Sequence, residues 1–192
     1  MIMWMKTLIE WDGKTVAELI DLYVSCHESP EFEKILNECL KSTDHNVQKA
    51  GSWILKYHIE EGSLKNYTKM RLRGKMKRNP ETESSLSEHL STLIQNVNDE
   101  SPWEVKLHLF QVLRYIEVRS SDERSLKTIV DKGLKSEKKF VRAWAYDGLY
   151  RLMLQYSKYE NDFEEVISRA LAKESGAVMA RIRNILKEDK LS

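Results

Sequence analysis

The chain has 192 residues, 41% apolar and 32% charged, with only seven Gly and three Pro. That composition supports a buried core, excludes disorder and collagen-like repeats, and disfavours an all-β fold. Thirty-one Lys and Arg against thirty Asp and Glu leave a net charge of +1, which taken alone argues against a dedicated nucleic-acid binder.

From the N-terminus, the apolar residues Met1 to Met5 are cut short by Lys6 and Glu10 and lack the apolar run of a signal peptide. Nowhere do enough apolar residues run together to span a bilayer. With two cysteines and no disulfide framework, the cytoplasm is the expected compartment. Residues 1–29 read as an N-terminal capping helix, with Thr15 and Glu18 at capping-box spacing ahead of Val16, Leu19, Ile20 and Tyr23. Ser29-Pro30 opens the next helix, since Ser caps free N–H groups and Pro fits the first turn.

The same start signals return at Ser85 with Glu88, at Ser101-Pro102-Trp103-Glu104, and at Asp162 with Glu165. Helices are predicted to begin near residues 15, 30, 46, 86, 102, 123, 137, 163 and 177. Helical periodicity runs throughout and no strand-like alternation is found, so the predicted class is all-α. Short polar connectors make neighbouring helices antiparallel.

Four of the predicted helices place Val eight positions before Leu: Val47 and Leu55, Val105 and Leu113, Val141 and Leu149, Val178 and Leu186. The Val anchors lie 58, 36 and 37 residues apart. Each anchored helix follows an amphipathic one, giving helix pairs at 30–61, 85–119, 122–158 and 162–190 within a single domain, 1–192. Such pairs resemble HEAT and armadillo-like repeats. The resemblance covers about residues 30–188 and implies a short right-handed α-solenoid of about nine or ten helices. Only Val141-Arg142 keeps the usual Val-Arg pair of that family; the other copies read Val47-Gln48, Val105-Lys106 and Val178-Met179.

The long first interval places an insertion at residues 62–84. Between Gly62 and Asn79 it carries Lys65, Lys69, Arg71, Arg73, Lys75, Lys77 and Arg78 and no acid, a local charge of +7. Leu64, Tyr67, Met70, Leu72 and Met76 suit an extra helix, which Asn79-Pro80 would end. The segment reads either as an anion-binding arm or as a solvated Lys-rich helix. Charge also sorts by helix: the first helices of the four pairs hold 8 basic and 13 acidic residues, and the second helices hold 14 basic and 7 acidic. In HEAT-like solenoids the second helices line the concave side. Lys56, Lys106, Arg114, Arg142, Arg151, Arg183 and Lys187, with Tyr146, are therefore predicted to form a basic concave face. That face suits an acidic protein surface or a phosphate backbone; the alternative is that these cations pair with Asp147, Glu104 and Glu117.

No familiar hydrolase, nucleotide-binding or zinc-peptidase motif is present. Cys26 and Cys39 with His27 and His45 lack the paired spacing of a zinc site, and Cys39 falls on an apolar stripe, so neither metal nor cofactor is expected. The stretch from Arg142 to Asp147 resembles the lesion-binding helix of bacterial HEAT-like alkylpurine DNA glycosylases, which would give Trp144 a packing role against the damaged nucleotide and Asp147 the stabilisation of a sugar cation. That family's glycine-rich N-terminal segment is missing, and Trp144 sits at the edge of the Val141, Ala145, Leu149 stripe. The expected function is a non-catalytic interaction module for an acidic protein; the alternative is a nucleic-acid binder with glycosylase chemistry at Trp144 and Asp147.

Overall fold

The computed structural model describes residues 3–72, 79–174 and 176–189, and among these the regular structure is entirely helical. The helices are α1 (Met3–Glu10), α2 (Val16–Cys26), α3 (Phe32–Lys41), α4 (His45–Glu60), α5 (Lys65–Leu72), α6 (Pro80–Asn96), α7 (Trp103–Val112), α8 (Glu123–Leu134), α9 (Lys139–Gln155), α10 (Glu160–Lys173) and α11 (Gly176–Asp189). No helix among the described residues is long and apolar enough to cross a membrane.

The N-terminal region holds two helices, not one. Asp12 ends the first connection: its carboxylate accepts from the backbone of Lys14 and Thr15, both at 2.7 Å, and from the Thr15 hydroxyl at 2.6 Å. Thr15 is thereby turned away from α2 and gives it no side-chain cap. Both α1 and α2 rest on α4. For α4 the cap is Asp44, which accepts from Asn46 and Val47 backbone N–H at 2.9 and 3.0 Å.

Helix α6 begins six residues earlier than the Ser85 signal predicts. Asn79-Pro80 starts this helix: the Asn79 side chain accepts from Glu81 N at 3.0 Å and Thr82 N at 3.4 Å, and Pro80 fills a first-turn position where no N–H is needed. The end predicted there for the basic helix falls on residues 73–78, outside the described residues. Ser85 instead donates to Glu33 on α3 at 2.6 Å. Asn79→Ala is therefore expected to cost about 1 kcal/mol, measured by urea unfolding. Unchanged stability in Asn79→Ala would contradict the early start.

Helix α7 ends at Val112, short of the predicted 119. The chain beyond it is pinned by the C-terminal end of α9: Val118 N donates to Gln155 Oε1 and Tyr156 OH donates to Val118 O, both at 2.8 Å. These two bonds replace helical ones for the Val118 backbone.

Packing follows the anchor register. Val47, Val105, Val141 and Val178 are all at most 3% exposed, and Leu55, Leu113 and Leu149 at most 2%. Helices α4, α7, α9 and α11 touch in that order, while α3 packs on α4 and α8 on α9. Helix α6 leans on α3 more than on its sequence partner α7, and touches α8 only lightly. One connected core runs from Leu8 to Ile185. Helices α3 and α4 approach closely at Gly51, where an added Cβ would lie 2.6 Å from Cys39 Cβ and 3.1 Å from the Cys39 carbonyl carbon. Burial raises the Cys39 pKa to about 12 and that of Cys26 to about 11, so both remain thiols.

Candidate functional site

Charged side chains gather most densely where α7, α9 and α11 meet. Residues 144, 147 and 151 recur at three and four along α9 and so share a face. Asp147 is fully buried there, and both its oxygens accept from Arg114, Nε at 3.0 Å and Nη2 at 2.7 Å. Arg151 pairs with Glu188 at 2.6 Å and comes within 3.6 Å of Asp147. The Trp144 ring has the Arg181 guanidinium 3.6 Å from its centroid and that of Arg114 at 5.5 Å. Burial lowers the Arg181 pKa, and Arg114 and Arg151 push in the same direction. Three arginines thus share two carboxylates. Asp147 is buried with its charge balanced by Arg114 and Arg151.

The predicted concave set is not one surface. At about 100° per residue, Arg142 and Tyr146 fall on the far side of α9 from Trp144. Arg142 bonds Glu174 at 3.0 and 3.3 Å and donates to Ser136 O at 2.6 Å, and the buried Tyr146 reaches Glu174 at 3.4 Å. Lys56 pairs with Glu60 at 2.8 Å. Lys106 donates to the Asp99 carbonyl at 3.2 Å, and burial lowers its pKa. Arg183 and Lys187 are exposed on α11 with no ion pair among the described residues. The pairing with Asp147 that the sequence allowed is made by Arg114, and Glu104 is taken by Lys49 at 2.7 Å.

The basic segment begins as α5, which is fastened to the body: Thr68 donates to Ile59 O at 3.2 Å and Tyr67 to Glu83 Oε1 at 2.9 Å. Lys65 pairs with Glu61, whereas Lys69, Met70 and Leu72 are exposed. Arg71 is the seventh residue of α5; Arg73, Lys75, Lys77 and Arg78 lie outside the described residues.

A groove of about 690 Å³ opens between α6 and α8, with Lys106, Lys132 and Lys135 on its rim and apolar side chains of α6, α8 and α9 beneath. Sequence reasoning singled out Lys106 alone of these lysines, and missed Arg181 and Glu188 altogether. Lys132 and Lys135 belong to a first helix, where only the acidic excess stood out. Arg181 lies 37 residues from Trp144, and no spacing rule joins the two. Among the described residues no cluster of three or more His, Cys, Asp or Glu is arranged to hold a metal ion. The chain matches no family model, no curated protein and no solved structure.

Proposed function

We propose that the chain is a HEAT-like interaction module, a short right-handed solenoid of antiparallel helix pairs, that binds an acidic protein partner through the basic segment 62–79. The repeat reading is supported by the serial contact of α4, α7, α9 and α11 around buried Val and Leu anchors. Repeat stacks of this kind bind through extended surfaces.

One observation carries the partner's chemistry. Lys49, Lys56, Arg114, Arg142 and Arg151 of the second helices are each paired with a carboxylate. The segment 62–79 has seven cations and no acid of its own, and its described end presents Lys69 beside exposed Met70 and Leu72. The sequence therefore concentrates positive charge there, and among its described cations Lys69 is exposed while Lys65 pairs with Glu61. Apolar side chains among cations suit a folded acidic surface better than a solvated phosphate backbone.

The test uses labelled poly-glutamate as an acidic polypeptide and follows fluorescence anisotropy. Replacing Lys69, Arg71, Arg73, Lys75, Lys77 and Arg78 by Ser is expected to weaken binding by roughly a hundredfold or more, as losing several charge contacts implies. Equal binding by wild type and variant would make the segment a solvated helix and overturn the proposal.

A further inference from the structure

The groove between α6 and α8 exists because the two helices lean away from each other, α6 on α3 and α8 on α9. Its floor is Ile94, Val97, Ile129 and Val141. On the rim, Lys132 already holds Asp99, with Nζ at 2.8 Å from both carboxylate oxygens. Lys106 reaches only the Asp99 carbonyl, and Lys135 is exposed; neither has a carboxylate within ion-pair distance among the described residues. The rim thus has two cations in search of anions, above an apolar floor.

We infer that this groove is a docking site for a short acidic and apolar segment of a protein partner, which seats its apolar side chains on Ile94, Val97, Ile129 and Val141 and sets carboxylates on Lys106 and Lys135. The volume falls in the range of sites that enclose a few side chains. The lining contains no aromatic ring on which a nucleic-acid base would stack. Its walls carry the polar side chains of Ser125, Thr128 and Asn98, a mixed lining that suits a peptide better than an alkyl chain. Burial and, less, the neighbouring Lys132 lower the Lys106 pKa against the pull of Asp99, and an arriving carboxylate would add to that pull. The inference rests on the reading of an acidic protein partner but places contact outside segment 62–79, so the two can fail separately.

The probe is a phage-displayed library of short random peptides selected on the intact chain, with the enriched peptides synthesised and titrated by anisotropy. Enriched peptides are expected to combine Asp or Glu with Leu, Ile or Phe. Lys106→Glu with Lys135→Glu should weaken them by roughly tenfold or more, and Thr128→Trp, which fills the groove, should do the same. The same peptides with Lys in place of each acid should regain binding to the doubly reversed variant, which a misfolded protein would not allow. The six-fold Ser variant of segment 62–79 should bind them as wild type does. Failure to enrich such peptides overturns the inference, as does binding that is indifferent to both groove variants. Saturable oleate binding blocked by Thr128→Trp, with no peptide enriched, would make the groove a lipid site and equally overturn it. Peptides that respond only to the segment variant would leave the acidic-partner reading standing and remove this one.

Discussion

Acidification from pH 7 to about pH 4 is expected to remove roughly 3 kcal/mol of stability through each of two histidines, His58 and His108, that are folded in as neutral rings. Burial pushes His58 down to about 4, against the opposing pull of Glu33, and pushes His108 down to about 3 with Lys56 and Lys49 adding to it. An unfolded histidine titrates near 6.5. Between the two values the unfolded chain takes up a proton that the folded chain refuses, so stability is complete above the unfolded pKa and is lost as pH falls towards the folded one. Glu33 works in the same sense at lower pH. Its hydrogen bond from His89 holds it at about 2, so its contribution is present above about 4.5 and is lost below. Urea unfolding at a series of pH values reads the slope. His108→Gln keeps a partner for Ser52, now 2.9 Å from His108 Nδ1, and should flatten the slope whatever it does to stability at pH 7. An unchanged slope would mean that the His108 ring takes up its proton in the fold as readily as in the unfolded chain.

The second large effect is at Asp147. Asp147→Ala should destabilise the chain by about 3 to 5 kcal/mol, because it strips Arg114 of both carboxylate oxygens it bonds and leaves Arg114, Arg151 and Arg181 facing Glu188 alone. Replacing both members, Arg114→Met with Asp147→Leu, should cost less than Asp147→Ala, since no buried charge is then left unpaired. Unfolding free energies of the three variants decide it. A double variant worse than the single would show that the pair contributes through its own attraction and not by relieving a buried charge.

Local rules located the buried helix faces well. All four Val anchors and the Leu anchors Leu55, Leu113 and Leu149 are buried, with Leu186 half-buried, because a period of three and four residues is a geometric property of any helix, visible in one dimension. Start signals were read less reliably, and for a physical reason. Asn79-Pro80 has the chemistry of both a stop and a start, and what decides is that Ser85 is drawn away to Glu33 across the helix interface. The end of α7 was illegible because Gln155 and Tyr156, some forty residues on, hold Val118.

The charged surface was legible in sum but not in arrangement. Counting assigned the second helices an excess of cations without telling which were already paired. Arg142 and Arg151 differ in sequence only by position, yet one closes the α10–α11 connection through Glu174 and the other joins Glu188. Ion-pair partners 32 and 37 residues away are set by how helices stack, which no local pattern encodes. The segment 62–79 stood out because its charge is contiguous, and a contiguous run of one sign needs no fold to be recognised.

The central claim is an acidic protein partner met through the contiguous positive charge of segment 62–79. It is tested most directly by titrating the wild-type chain with labelled poly-glutamate and with labelled duplex DNA, each at low and at near-physiological salt. The account predicts tighter binding to the acidic polypeptide at both, with DNA binding that is weak and falls steeply as salt rises. DNA bound more tightly than poly-glutamate at near-physiological salt would contradict it.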